Sequence, residues 1–289
     1  MYKLIYSALH LVTLLPLRAL YFFDDLMYFI LYYVIRYRRE VVRRNLLNSF
    51  PEKQLPEIKK IERQFYRHFC DIFFEAIYRL NISQEEYMKR AQIENIEAIH
   101  EVYAQGKIVI LALGHLGNWE WTPVINFYVP KDSQMYAVYK QLKNKHVDKL
   151  TCQLRTIHGG GVIEMGSLIK TMLHMSKKDM KAMFLILGDQ RPKRDYNRFE
   201  MEFLNQKTSV FMGIEVLAKK FDYPVYYLSS TLLKRGYYKY TFKLVTSNPL
   251  EEPEFSITEK YMRLLEEDIR NNPHLWLWTH DRWKFNRNK

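Results

Sequence analysis

"KIVILALGHLGNWEW", residues 107–121, decides how this chain is read. Lys107–Leu113 is a continuous apolar run of strand length, the pattern of a strand covered on both faces. It stops at Gly114, and His115, Gly117 and Glu120 follow. A second run of the same kind, "KAMFLILGDQRP" (181–192), also ends in a glycine and delivers Asp189 and Arg191. "QMYAVYK" (134–140) reads as another strand, and helical patterns fill 118–128, 144–161 and 167–178. Strands alternating with helices from 107 onward predict an α/β domain with a mostly parallel central sheet flanked by helices.

The rest of the chain extends this pattern. "FEMEFLN" (199–205) alternates like a short strand. Thr208 opens a helix whose stripe is Val210, Phe211, Ile214, Leu217, Ala218 and Phe221. Residues 224–233 and 237–246 read as a hairpin around Arg235–Gly236. A helix over 256–272 opens on a Ser256–Glu259 capping box and stops before Pro273. Upstream, 56–80 is helical with Pro56 in its first turn, and a shorter helical region covers 83–104. Two parts are expected: apolar helices and a basic segment at 1–50, and one α/β domain at 51–289 with a helical lead-in over 51–105.

Hydrophobic residues make up 48% of the 289 and aromatics 15%, ample for a buried core. The net charge of +12 favours anionic partners. No phosphate-cradling glycine loop and no aromatic–basic recognition motif accompanies it, so nucleic acid is not an expected partner. The two cysteines, Cys70 and Cys152, are far apart and suggest reduced thiols rather than a disulfide framework.

Residues 4–35 form the most apolar segment. Leu4–Phe23 has the length of a spanning helix but contains Pro16 and Arg18, and Asp24 and Asp25 separate it from Leu26–Ile35. "RYRREVVRR" follows, with Arg36, Arg38, Arg39, Arg43 and Arg44 in nine positions. An aromatic-rich apolar segment ending in arginines fits a monotopic anchor, or a single span held by its cytoplasmic end, on an anionic membrane surface. The competing reading is a buried helical hairpin under a solvated basic turn.

Ligands in open α/β sheets bind beyond the carboxyl ends of the strands, where His115, Glu120, Asp189 and Arg191 fall. His115 and Glu120, five apart, cannot share one helical face, because five residues turn about 500°. They meet only across a bend at Gly114 and Gly117, with Glu120 in the first turn of the next helix. A carboxylate on one imidazole nitrogen raises the basicity of the other. No serine or cysteine in the stretch offers a nucleophile, which points to a hydroxyl on the substrate. No His-Glu-x-x-His is present, so no metal is expected.

"GHLGNWEW" resembles the H-x4-D/E motif of glycerolipid and lysophospholipid acyltransferases, and most closely that of the bacterial lipid A late acyltransferases. "GDQRP", "FLNQKTSVFMGIEVLAKKFDYPV" and "PHLWLWTHDRWK" are similar to further blocks of that family, in order along the chain. Gly114 stands where many members have Asn, and Asp281 replaces the first of two terminal arginines.

The resemblance implies transfer of an acyl chain from a thioester, on acyl carrier protein rather than coenzyme A, to a hydroxyl of a lipid A precursor. His115 would be the general base and Glu120 its orienter. Backbone N–H groups at Gly117 and Asn118 are candidates for the oxyanion, and Arg155, Arg191 and Arg282 for acceptor phosphates. Asp189 either organises that basic cluster or closes a turn. No cofactor is implied beyond the thioester co-substrate, and the place of action would be the cytoplasmic face of the inner membrane. The alternatives are another lipid acyltransferase, acting for instance on lysophospholipid, and a non-catalytic membrane-surface protein that keeps the fold.

Overall fold

The computed structural model describes residues 12–178, 180–192 and 199–284. The first part of the apolar Leu4–Phe23 run, residues 4–11, lies outside the described residues.

Nine strands are present among them: β1 (Ala91–Glu94), β2 (Val109–Leu113), β3 (Ser133–Tyr139), β4 (Gly161–Glu164), β5 (Lys181–Leu187), β6 (Glu200–Phe203), β7 (Gln206–Ser209), β8 (Val225–Lys234) and β9 (Tyr237–Thr246). Seven form one sheet in the order β1-β9-β8-β2-β5-β3-β4, and β6 pairs with β7 separately. Pairing is parallel throughout the main sheet except between β8 and β9, the expected hairpin. Gly236 closes that hairpin at φ +75°, a backbone state that only glycine adopts without strain.

All five residues of β2 are buried. Ile110 and Ala112 enter one core with Phe184 and Ile186, while Val109, Leu111 and Leu113 enter another with Met183 and Leu185. The uninterrupted apolar run therefore fills two cores, one on each face of the sheet. The first is covered by α1 (Leu17–Phe29), α2 (Arg39–Ser49), α3 (Leu55–Tyr78), α8 (Gly213–Phe221) and α9 (Ser256–Asn271). The second lies under α4 (Gln84–Arg90), α5 (Glu97–Ala104) and a 3-10 segment, Trp119–Phe127. Two more helices, α6 (Lys145–Thr156) and α7 (Leu168–Ser176), flank β4 in sequence.

Four local expectations are corrected. The 83–104 region contains β1, a four-residue edge strand too short to show a period. The segment after Asn118 is 3-10 rather than α, because Pro123 inside it lacks an N–H and its ring crowds the preceding turn. Thr208 belongs to β7, and its helix starts only at Gly213. The Ser256–Glu259 box does not cap α9. Ser256 donates instead to Glu252, and Glu215 from α8 accepts from the backbone N–H groups of Phe255 (2.7 Å) and Thr258 (3.0 Å). A capping box does form at α3, between Gln54 and Glu57.

The N-terminal helices share the first core through Tyr28, Tyr32, Val42, Leu46 and Phe50. Asp24 and Asp25 do not interrupt α1, which runs straight through them. They turn toward Arg235 in the β8–β9 turn, joined there by Asp71 of α3 at 2.7 Å, while Arg235 also stacks over the Tyr21 ring. The opposite side of this region is apolar and exposed: Phe22, Phe23, Leu26, Phe29, Tyr33, Val34 and Ile35 all face outward. Among the described residues, no helix is long and apolar enough to cross a membrane.

Replacing Glu215 with Ala removes the acceptor for two backbone N–H groups and the Thr258 hydroxyl. The variant is expected to lose about 2 kcal/mol of unfolding free energy in urea, the upper end for a lost helix cap. An unchanged denaturation midpoint would show that α9 starts without this carboxylate.

Candidate active site

β2 and β5 lie side by side in parallel, with Leu113 opposite Leu187. Each continues through one glycine, Gly114 on one strand and Gly188 on the other. The register carries over, so the second residue beyond each strand, His115 and Asp189, meets the other. His115 Nδ1 lies 2.6 Å from Asp189 Oδ1, and the His115 backbone N–H donates to Asp189 Oδ2 at 2.9 Å. The Trp276 indole N–H donates to the same Oδ2 at 2.8 Å. Asp189 is 2% exposed. Burial alone would raise its carboxyl, but the His115 imidazole and these hydrogen bonds outweigh it and hold the carboxyl down to about 2.

An ionised Asp189 fixes the proton of His115 on Nδ1 and leaves the Nε2 lone pair outward. The Gln190 side-chain nitrogen stands 3.4 Å from that Nε2, and the Trp119 ring packs edge-on at 5.0 Å. The imidazole remains partly accessible. The site thus presents a basic nitrogen with an anchored carboxylate behind it.

The carboxylate is not the expected one. Among the described residues no hydrogen bond joins His115 to Glu120. Arg155 of α6 takes both Glu120 oxygens in a fork, with Nε donating to Oε2 at 3.1 Å and Nη2 to Oε1. Burial opposes the charge on Glu120, but Arg155, with smaller help from Arg79 and His115, keeps its carboxyl below the usual range. Glu120 lies in the first turn of the 3-10 segment, as the bend requires, yet a fixed guanidinium on the neighbouring helix captures it. The same pairing removes Arg155 from the set of open phosphate ligands.

The bend itself is anchored from behind by residues with no local sequence signal. Gly117 sits at φ +61°, and a Cβ there would lie 2.1 Å from the Ser230 hydroxyl. Its carbonyl accepts from His68 Nε2 at 3.1 Å, and its N–H is spent on Leu275 O at 3.1 Å. The Gly117 N–H is therefore not an oxyanion donor. Burial pulls the His68 imidazole down to about 4, so it stays neutral. Asn118 donates through Nδ2 to the buried Glu75 at 2.7 Å, and its carbonyl accepts from Tyr240 at 2.6 Å. Burial and Asp71 push Glu75 up to about 7 against hydrogen bonds from Tyr21, Tyr238 and Asn118. Gly114 needs no left-handed backbone; its missing side chain leaves room for Leu265, which a Cβ would meet at 2.5 Å.

The other expected residues lie in several places. Arg191 donates to the Asp281 carbonyl at 3.0 Å, and its N–H approaches His280 beside the dyad. Arg282 is 1% exposed, stacked over Phe203 and donating to Ser209 O, and burial pulls its guanidinium down to about 10. A phosphate in solvent cannot reach it there. Arg39 and Arg43 grip the fully buried Glu62, and Arg38 donates to Thr279 O at 2.9 Å. Gln190, Trp276, His68 and Glu75 are the site residues that sequence reading missed. A signal for the dyad existed: "LALGH" and "LILGD" end two buried strands at the same offset.

From Trp119 and Glu120 an apolar groove of about 510 Å³ runs outward between α3 and α6. Leu31, Phe69, Phe73 and Ala76 line one side, Val147 and Leu150 the other.

The family model for bacterial lipid A biosynthesis acyltransferase matches residues 2–285 of the chain. A search of the curated proteins finds no match.

The Asp189 carboxyl, ordinarily near 3.8, is held at about 2 in the folded state. Its contribution to stability, about 2 kcal/mol, is present above pH 4 and lost as pH falls through about 2. The Asp189→Asn variant is expected to be less stable at neutral pH and to lose this part of the acid dependence, read by urea denaturation at several pH values. Parallel acid profiles for the two proteins would show that the carboxylate is not stabilised as described.

Proposed function

Because the chain belongs to the bacterial lipid A biosynthesis acyltransferase family, we propose that His115 is the general base of its acyl transfer and Asp189 the carboxylate that orients it. The family makes the protein an acyltransferase with a lipid substrate, and implies association with the membrane. The observation that carries the catalytic reading is the 2.6 Å contact between His115 Nδ1 and the buried Asp189. It leaves Nε2 as the only ring nitrogen free to accept a proton.

The reaction then closes without a protein nucleophile. The acceptor hydroxyl of a lipid A precursor gives its proton to His115 Nε2 as its oxygen attacks the carbonyl carbon of an acyl thioester. The tetrahedral oxyanion collapses by breaking the C–S bond, and the departing thiolate takes the proton back from His115. The products are an ester and a free thiol. The Gln190 amide stands beside the imidazole and is the side-chain donor we assign to the oxyanion. With the Gly117 N–H engaged elsewhere, the backbone share of that role stays with the Asn118 N–H.

Other features support the reading. The groove beginning at Trp119 suits the acyl chain, since it is apolar and opens beside the reacting centre. The net charge of +12 suits an acidic carrier protein as donor. The exposed apolar strip on α1 and the turn after it suits a monotopic seat on the cytoplasmic face of the inner membrane.

Transfer measured by mass spectrometry of the lipid product tests this assignment. His115→Ala is expected to lose about a thousandfold in kcat, and Asp189→Asn about a hundredfold or more. Wild-type rates in Asp189→Asn, together with loss in Glu120→Gln, would return the orienting role to Glu120. Leu150→Trp is expected to shift the preferred donor toward shorter chains while keeping turnover, and an unchanged chain profile would remove the groove from the acyl path.

A further inference from the structure

A second site lies away from the dyad. Arg36, Arg38, Arg39, Arg43 and Arg44, with Glu40, line a cavity of about 660 Å³ at the start of α2. We propose that this cavity binds the phosphomonoester headgroup of a membrane lipid.

The charge arithmetic matches that ligand. Three carboxylates belong to the cluster: Glu40 in the wall, Glu62 under Arg39 and Arg43, and Asp281 at 3.7 Å from Arg44. Five arginines against three carboxylates leave +2, and a phosphomonoester carries about −1.5 to −2 at neutral pH. Donors stand ready as well. Arg36 has no side-chain partner among the described residues, and the buried Arg44 Nε has no hydrogen-bond partner among them. A buried donor left open, as Arg44 Nε is, calls for an acceptor. Guanidinium groups meet terminal phosphate oxygens in a planar fork, and a monoester offers three such oxygens.

The backbone is strained at the same place. Arg36 and Arg38 both hold left-handed conformations, φ 55° and 51°, on either side of Tyr37. A simple basic turn needs neither, and strain of this kind in non-glycine residues concentrates at ligand clamps. Position selects a lipid over a soluble phosphate. The cavity directly follows the exposed Tyr33, Val34 and Ile35, so a protein that buries this strip in the acyl layer carries the arginines at headgroup depth.

Flotation of the full chain with two sets of phosphatidylcholine vesicles tests the proposal independently of acyl transfer. One set contains phosphatidic acid, a phosphomonoester; the other contains enough phosphatidylglycerol to match its surface charge. Wild type is expected to bind the phosphatidic acid vesicles more tightly. Arg36→Gln with Arg44→Gln is expected to weaken that binding about fivefold for each arginine removed and to erase the preference. Lys170→Gln with Lys177→Gln, which removes the same charge outside the cavity, is expected to keep it. Equal binding to the two vesicle sets, or an intact preference in the arginine variant, overturns the proposal. So does thermal stabilisation of wild type, but not of the variant, by inorganic phosphate when the vesicles show no preference, which would assign the cavity to free phosphate. If the double variant does not fold, Arg36→Gln alone carries the test, since its side chain supports no described contact.

Discussion

The Asp189 carboxylate accepts from both the ring and the backbone of His115, and it can do so only because β2 and β5 are adjacent, parallel and in register. A slip of one residue would turn every side chain of one strand to the other face. The same slip would exchange the residues filling the two cores, which meet on opposite faces of β2. The His115–Asp189 contact is thus held by the same burial that stabilises the sheet. Neither strand end has freedom to drift while its apolar residues stay covered.

Behind that contact, the loop from Gly114 to Asn118 is tied by groups drawn from across the chain. His68 and Glu75 come from α3, Tyr240 from β9, and Leu275 and Leu277 from the C-terminal segment. Each satisfies a polar group that the tight turn would otherwise bury unpaired. The cost of such a turn is met by tertiary partners rather than by local hydrogen bonds. This also explains why the C-terminal tryptophans matter: Trp276 bonds Asp189 directly and bridges Leu116 through the backbone. Glu120 and Arg155 form a second charged pair beside the first, so two carboxylates near one imidazole serve different partners.

The N-terminal region follows the same logic with opposite exposure. Asp24 turns inward onto Arg235, and Arg39 and Arg43 onto Glu62, while Phe22, Phe23, Leu26, Phe29, Val34 and Ile35 face out. That arrangement inverts the usual rule for a surface helix, and an apolar surrounding is the physical setting that rewards it. Within residues 4–35 the described part is mainly α1 and the turn after it. The helix is docked against α3, and one of its faces remains uncovered.

The sequence by itself determined the α/β class, the two buried strands, the hairpin at Gly236 and the place where reactive residues gather. Apolar runs, glycines and strand ends are local facts, and local chemistry dictates them. The family resemblance was equally legible, because its blocks recur in order. Which carboxylate serves His115 was not legible. Glu120 is five residues away in the chain and Asp189 is seventy-four, yet strand pairing brings the distant one to 2.6 Å while Arg155 claims the near one. Separation along the chain says nothing about register between strands, and register follows from how whole faces bury their apolar residues. The fold, not the motif, chose the partner of His115.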